Sequence, residues 1–548
     1  MSKRIADLLF PNIDKTPEFY ENKYPAREGA GRVTRFAPSP TGFLHIGGLY
    51  TSLINRLIAK QSGGAFYLRI EDTDQKRLVE NGVVDIITAL KQFEVEFDEG
   101  PYDEVNEHGA YAPYRQSLRK EIYQAYAKQL VTDGKAYPCF CTEEDLQNIR
   151  AEQEKDGSGT LGYCGKWARC RDLTDEQIEA ELSAGKPFVV RLRSEGEAGK
   201  MREFADGIHG AVSMPENILD IVITKQDGLP TYHFAHAIDD HLMHSTDIIR
   251  ADEWLSSLPI HVQLFEMLGF NVPNYYHLSP IMKLDGTSRR KLSKRKDPEA
   301  RVSFYRETGY PVKAVIDYLL TICSAKFEPW RAENPSADSL DFTLDLADTG
   351  VSGAMFDFDK LDNIAKNVIG AMTDDEIFAA VLAWATEFAP DFAAFINSDK
   401  DYFMRSIPIW HEKRLDIKKW SEVAQLYPYM YNKQYDTSAC EMPERMADRK
   451  ADAKEILEMY LASYDPAADS DAWFANVKSI AEQKGYCIKM GQYKKNPDAF
   501  PGSVADVSMF LRVAITGQAN TPDLYKIIKL IGDEEAEKRI KNYIEKIK

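Results

Sequence analysis

An α/β half built on a parallel sheet, followed by a helical half, is the architecture this sequence predicts, and three observations predict it. A short strand (32–37, RVTRFA) runs into a Pro/Ser/Gly turn and an apolar-periodic helix, and a second strand follows at 66–70, the order that opens a parallel, nucleotide-binding type of sheet. A Cys-rich stretch at 139–170 interrupts that pattern, and 186–225 reads as strands with turns. From about residue 310 onward, helical spacing dominates.

Taken in order, residues 1–30 are polar, dotted with aromatics and Pro-containing, and read as an appended arm. The first helix spans 45–60 with Ile46, Leu49, Leu53, Leu57 and Ile58 on one face, and Gly63-Gly64 stops it. A helix over 115–135 ends at Gly134. A Cys-rich stretch occupies 139–170, Asp227-Gly228 is a hairpin signal, and helix–strand alternation resumes through Arg250 and Phe270. The segment 327–350 is the best linker candidate.

The chain has 548 residues, enough for about three or four domains. Its 44% hydrophobic and 28% charged residues are the mix of an ordinary soluble protein. No run of about 18 apolar residues occurs, so no membrane span is expected. The start carries no apolar h-region and no small-residue cleavage pattern, so no secretory signal is expected.

The net charge of −18 argues against a non-specific nucleic-acid coat. Charge is local, however: 283–301 holds eight Lys/Arg against three acids, and 478–495 five Lys against one. Alone, each patch is also compatible with a solvated face. Seven cysteines, an odd number at low density, fit a reducing compartment.

Two segments carry the chemistry. In PSPTGFLHIGG (38–48) a strand ends and a helix begins with His45, Gly47 and Gly48. A helix N-terminus offers unpaired N–H groups and a positive dipole end to a phosphate, the glycines let a base or ribose approach the backbone, and His45 can donate to a phosphate in a transition state. In KLSKRK (291–296), Lys291 and Lys294 can clamp a triphosphate and neutralise charge on departing pyrophosphate. Each motif alone reads as an ordinary capping histidine or a solvated loop; the pair, with an α/β fold between, is far more specific.

HIGG (45–48) and KLSKR (291–295) resemble the two signature sequences of class I aminoacyl-tRNA synthetases. RFAPSPTG (35–42), RIEDTD (69–74), DDHLM (239–243) and IRADEW (249–254) are similar to the glutamyl-tRNA synthetases of the bacterial type, and FDFDKL (356–361) and LRVAITG (511–517) resemble strings in that family's helical portion. The resemblance covers about 31–548.

The resemblance implies a Rossmann-type catalytic domain in two halves (31–135 and 226–280), an inserted acceptor-arm domain (136–225), a KLSKR-loop and stem-contact region (281–350) and an all-helical anticodon-binding region (351–548). It implies ATP-dependent activation of L-glutamate to glutamyl-adenylate and transfer to the 3′ end of tRNA(Glu), in a cytoplasmic monomer with Mg2+ accompanying ATP. Glutamate would be held by Arg35, Ala37, Ser39, Glu71, Tyr232 and Arg250. ATP would be held by His45, Gly47, Gly48, Glu253, Trp254, Lys291 and Lys294, with His45, Lys291 and Lys294 acting on the phosphates. Fork geometry suits Arg35 and Arg250 to carboxylates. His236 stands where the family pattern carries Asn or an apolar residue, and Gly48 as fourth signature residue fits the glutamyl branch.

Cys139, Cys141, Cys164 and Cys170 suit a closed tetrahedral zinc site, although Cys-x-Cys is tighter than the usual Cys-x-x-Cys. They fall in the family's acceptor-arm insertion, where some members bind zinc through Cys-x-Cys and a later Tyr and Cys; Tyr163 and Cys170 match that pattern. Reduced, unliganded thiols are the other reading. The glutaminyl enzyme is disfavoured by the RFAPSPTG and RIEDTD strings, and a truncated tRNA-modifying paralogue by the long helical sequence. A catalytically silent tRNA-binding paralogue is disfavoured by intact His45, Glu71, Arg250 and Lys294.

Overall fold

The computed structural model describes residues 3–547, except 30, 158, 160, 294, 412–416, 432–434 and 436–443. Two compact units emerge, one formed by Met1–Phe304 with Ile316–Asp357, the other by Tyr305–Val315 with Phe358–Lys548.

The first unit begins its sheet where four consecutive apolar or buried positions demand burial on both faces, as parallel strands do. Val33–Phe36 pairs in parallel with Ala65–Leu68, Val33 opposite Ala65 and Phe36 opposite Leu68. The helix Ile46–Ser62 connects them, burying Ile46, Leu49, Leu53, Leu57 and Ile58. It ends at Gly63, which adopts φ +68°. At Gly64 a Cβ would sit 2.0 Å from the Arg32 carbonyl oxygen, so only glycine lets the chain turn back beside the first strand. A second parallel pair, Asp247–Ala251 with Asn274–Leu278, joins alongside: Thr246 N–H donates to Val33 O at 3.0 Å.

Residues 136–225 build a separate antiparallel sheet of Ala136–Cys139, Val189–Leu192 and Val222–Thr224. They also form the hairpin Met201–Asp206 with Gly210–Pro215.

Two expectations need correction. Residues 3–24, read as an appended arm, pack into the first unit: the helices Lys3–Leu9 and Pro17–Lys23 bury Ile5, Ala6, Leu9 and Tyr20 in the same core as Tyr123, Tyr126 and Leu130 of the helix Lys120–Thr132. Ile5 and Leu9 are one helical turn apart, an apolar face masked by the polar residues around it. Arg27 fastens the end of the segment with a bidentate bond to Glu99 (2.7 and 2.9 Å). The 327–350 segment is no linker either. It starts as the helix Phe327–Glu333, buries Phe327, Phe342, Leu344 and Leu346, and ties Arg331 to the buried Asp317 at 2.8 Å. Leu340, Phe342, Leu344 and Leu346 alternate with polar residues, and the last three are buried.

The second unit is helical, and no strand is assigned among its described residues. It has two cores: one around Ile377, Val381, Phe403, Ile407 and Trp410, the other around Ile456, Val477, Val507, Leu511 and Ile540. The helix Leu524–Ile531 serves both, with Ile527 and Leu530 in the first and Leu524 and Ile528 in the second. Capping boxes at Thr373 and Ser503 fix the starts of two of its helices. No helix among the described residues is long and apolar enough to cross a membrane.

Candidate active site

At the carboxyl ends of both parallel strand pairs lies a cavity of about 530 Å³, the position where open α/β sheets receive ligands. Arg35, Ala37 and Ser39 enter it from the first strand and its loop, and His45, Gly47 and Gly48 from the helix that follows. Glu71, Tyr232, Arg250, Glu253, Trp254 and Lys291 complete the wall. Of the residues expected to hold glutamate or ATP, only Lys294 lies outside the described residues.

His45 is the N-cap of the helix Ile46–Ser62, and its Nδ1 accepts from Gly47 N–H at 2.9 Å. That contact places the ring proton of the neutral imidazole on Nε2. The two glycines also serve their own loop: a Cβ on Gly48 would fall 2.8 Å from Leu44 Cδ1, and one on Gly47 3.2 Å from His45 Nδ1.

Behind the cavity sits a buried charge cluster. Asp240 receives Arg35 (Nε to Oδ1, 3.1 Å) and Arg69 (Nη1 to Oδ1, 2.6 Å). Asp239 receives Arg119 at 2.7 Å and the Tyr123 hydroxyl at 2.7 Å. Burial alone would raise the Asp240 carboxyl; the Arg35 and Arg69 guanidiniums outweigh it and hold it well below the usual carboxylate range. Glu71, 3.2 Å from Arg69, shows the reverse balance: burial pushes it up to about 7 against the pull of Arg69 and Arg35.

Arg250 is held differently. Its Nε donates to His277 Nε2 at 3.0 Å, its Nη1 contacts His261 Nδ1 at 3.0 Å, and its Nη2 donates to Trp254 O at 3.3 Å. Among the described residues no carboxylate pairs with it. Tyr232 lies against Trp254 with ring centroids 4.3 Å apart, and burial pushes its hydroxyl up to about 12. His236 contacts Asp240 (Nδ1 to Oδ2, 2.7 Å) and Tyr275 OH (3.1 Å), so it stands behind the wall rather than in it. Lys291 forms an ion pair with Glu253 across the cavity mouth. Asp297 fastens the following loop, accepting from Arg290 (2.6 and 2.8 Å) and from Ser293 N–H (2.9 Å).

Sequence reasoning did not assign Asp206, His261 or His277. Six of the ten histidines fall between 233 and 277, a local enrichment that marks the region but singles out neither His261 nor His277 and does not point to Asp206.

The sulfurs of Cys139, Cys141 and Cys170 converge within 4.8 Å of one another. The fourth member of the group is not Cys164. Tyr163 takes its place, its hydroxyl 3.3 Å from Cys141 Sγ and accepting from Cys170 N–H at 2.9 Å. Cys164 has extended backbone (φ −158°, ψ 158°), so its side chain points opposite to that of Tyr163, and its Sγ approaches Gly162 O. Hydrogen bonds from Cys141 and Cys170 hold the Cys139 thiol below its ordinary range.

The comparisons with known proteins agree with this geometry. A family model described as tRNA synthetases class I (E and Q), catalytic domain, matches residues 32–328, and an anticodon binding domain model matches 502–544. The glutamate–tRNA ligase of Clostridium perfringens (strain SM101 / Type A) is 47% identical over 99% of both chains. That of Acetivibrio thermocellus is 43% identical over 99% of this chain and all of the relative. A crystal structure of a glutamate tRNA ligase from Elizabethkingia meningosepticum, in complex with its amino acid, superposes with a TM-score of 0.73 at 29% identity, covering 95% of this chain and 100% of the other. A helix N-terminus capped by His45, Lys291 of the basic run and an arginine with no carboxylate partner among the described residues thus meet in a chain whose relatives share its full length, and the chain belongs to the class I tRNA synthetases of the E and Q group.

Proposed function

We propose that the protein is a glutamate–tRNA ligase that activates L-glutamate with ATP and transfers it to tRNA(Glu). The observation that carries the reading is Arg250, a cation facing the cavity with neutral partners only, opposite Glu71 and beside the nucleotide-type loop. Arg250 receives a substrate carboxylate with fork geometry, and Glu71 accepts from the α-ammonium. Arg35, Ala37, Ser39 and Tyr232 shape the remaining glutamate wall. His45, Gly47, Gly48, Glu253, Trp254, Lys291 and Lys294 form the ATP side, with His45, Lys291 and Lys294 on the phosphates.

The reaction proceeds by positioning and charge stabilisation without a protein nucleophile. A glutamate α-carboxylate oxygen attacks the α-phosphorus of ATP. The bond to the β-phosphate oxygen breaks, pyrophosphate leaves, and glutamyl-adenylate forms. The terminal ribose hydroxyl of tRNA then attacks the anhydride carbonyl and expels AMP. Mg2+ accompanies ATP and offsets phosphate charge.

Residues 31–135 and 226–280 are assigned to the catalytic domain, 136–225 to the acceptor-arm insertion, 281–350 to the stem-contact region and 351–548 to anticodon binding; 1–30 precede them. Three thiols and a phenol at one point are a tetrahedral zinc donor set, so Cys139, Cys141, Cys170 and Tyr163 would hold a structural zinc. The enzyme works as a cytoplasmic monomer. ATP–pyrophosphate exchange with each amino acid in turn, with and without tRNA, tests the assignment. Exchange that requires glutamate supports it; exchange with glutamine instead, or with no amino acid, overturns it.

A further inference from the structure

We propose that Asp206 and His277 are positioning residues of the glutamate site: Asp206 selects the His277 tautomer, and His277 aims the Arg250 guanidinium. The inference rests on reading Arg250 as the substrate-carboxylate ligand.

An arginine only donates. Arg250 Nε lies 3.0 Å from His277 Nε2, so that nitrogen accepts and the ring proton sits on Nδ1. His277 Nδ1 lies 2.6 Å from Asp206 Oδ2, and both side chains are fully buried. Burial, against the opposing hydrogen bond to Asp206, keeps His277 below its ordinary range and therefore singly protonated. The other charged groups around it are Arg250 and Asp252, and His209 Nε2 reaches the His277 carbonyl at 3.1 Å. Asp206 is itself pinned: its Oδ1 accepts from the backbone N–H of Ile208 (3.0 Å) and His209 (2.9 Å). On the far side Arg250 Nη1 donates to His261 Nδ1, whose Nε2–H then donates to His233 Nδ1 at 2.9 Å.

The choice of imidazole has a consequence. A carboxylate at the His277 position would hold Arg250 equally well but would neutralise it and compete with the substrate. A neutral ring fixes the guanidinium and leaves its charge for the incoming carboxylate. The carboxylate that orients the ring is placed one ring-width further back, on the hairpin Met201–Asp206. Such outer partners set both tautomer and direction.

Asp206→Asn tests the relay. The Ile208 and His209 N–H groups keep the amide oxygen where Oδ1 was, so the amide NH2 faces His277 Nδ1. The ring proton must then move to Nε2, where it meets Arg250 Nε–H donor to donor. In ATP–pyrophosphate exchange the KM for glutamate should rise by about 10-fold or more, with the KM for ATP within about twofold. In a His277→Gln background the side-chain amide can offer its oxygen to Arg250 without any tautomer, so Asp206→Asn should there change the glutamate KM by less than about twofold. An unchanged glutamate KM, an equal rise in both backgrounds, or glutamate and ATP constants rising together would overturn the relay. If Asp206→Asn does not fold, His277→Gln against His277→Leu decides: the relay requires Leu, which has no acceptor, to raise the glutamate KM well above Gln, and equal values refute it. Arg250→Ala tests the underlying reading separately. No change in the glutamate KM there removes Arg250 as ligand; a large change there with none in Asp206→Asn removes only the relay.

Discussion

Arg35 and Asp240 face each other in a two-pronged contact, Nε 3.1 Å from Oδ1 and Nη2 3.2 Å from Oδ2, with both side chains almost wholly out of water. Arg69 reaches the same carboxylate at 2.6 Å. Arg35, which lines the cavity, has Asp240 as its carboxylate partner, whereas Arg69 also reaches Glu71 at 3.2 Å and Asp239 at 3.9 Å. Arg35 and Arg250 are thus not equivalent cations: the first shares its charge with Asp240, while the second meets only neutral acceptors.

Asp240→Asn removes the charge and keeps the shape. It leaves the buried Arg35 without its carboxylate and Arg69 with Glu71 and Asp239 alone, the costly half of breaking a buried pair. We expect a loss of about 3–5 kcal/mol in unfolding free energy by denaturant titration. A loss below about 1 kcal/mol would mean that solvent reaches the cluster.

With Glu71 as the α-ammonium partner proposed above, glutamate binding should depend on pH. Burial pushes the Glu71 carboxyl up to about 7 from an ordinary 4.5. Between those values the folded state holds the proton more tightly than the unfolded chain does. Its contribution to stability is therefore fully present at acid pH and lost as pH rises through about 7. Substrate needs the opposite form, because the α-ammonium pairs with the carboxylate. The KM for glutamate should fall as pH rises from about 6 to 8, and Glu71→Gln should flatten that profile. His233 and His236, pushed down by burial to about 4 and about 3, stay neutral across the range and do not imitate the effect.

How far the site was legible depends on whether its residues carry a local pattern. HIGG and KLSKR do, because a helix N-terminus and a turn have fixed chemistry along the chain, and every described residue assigned from those strings lines the cavity. The parallel strands were legible from apolar runs. Asp206, His261 and His277 were not, since they act on Arg250 through contacts spanning up to 71 residues and belong to no motif. The first thirty residues and the 327–350 stretch misled for another reason: their periodic runs, Ile5 with Leu9 and Leu340 to Leu346, are short and lie among polar and Pro residues that read as an arm or a linker. Cys164 misled because spacing counts thiols but does not show which side of an extended backbone each one faces.

That last point yields a test of the metal site. Protein purified without chelator should carry about one zinc per chain by elemental analysis. Cys170→Ser or Cys139→Ser should abolish it, whereas Cys164→Ser should retain it. Loss of zinc in Cys164→Ser with the fold intact would restore the four-cysteine set. Zinc removal should impair tRNA charging more than ATP binding, because the cluster sits apart from the nucleotide-type loop in sequence and sheet.

Lys291, proposed as a phosphate ligand, is paired with Glu253. Lys291→Ala and Lys294→Ala should each lower the rate of adenylate formation by about 10²-fold, the scale for losing one preorganised charge at a transition state. Lys294→Ala is expected to be the more severe. Turnover within about twofold of the parent, with the protein folded, would remove the loop from the ATP site.

The lysines of the basic run 478–495 differ in kind, and Lys478 lies over the Phe474 ring, 4.6 Å from its centroid. Lys484 is paired with Glu455 and Asp452, so it contributes to packing between helices. Lys489 caps the short helix Met490–Lys495 and Lys494 and Lys495 form its last turn; all three are exposed and have no carboxylate partner among the described residues. Lysines that face water without a partner can each displace a counterion from a nucleic-acid backbone. Replacing the three with Ala should raise the apparent KM for tRNA and reduce the slope of log K against log salt by about 0.7–0.9 for each phosphate no longer neutralised. The constants for ATP and glutamate should not move, because the helix belongs to the second unit and the cavity to the first. Lys484→Ala supplies the contrast: removing a paired lysine should lower stability slightly and leave the salt slope alone. A triple variant with an unchanged slope would make this a solvated helix face and shift tRNA binding to the 283–301 region, where Arg289, Arg295 and Lys296 are exposed.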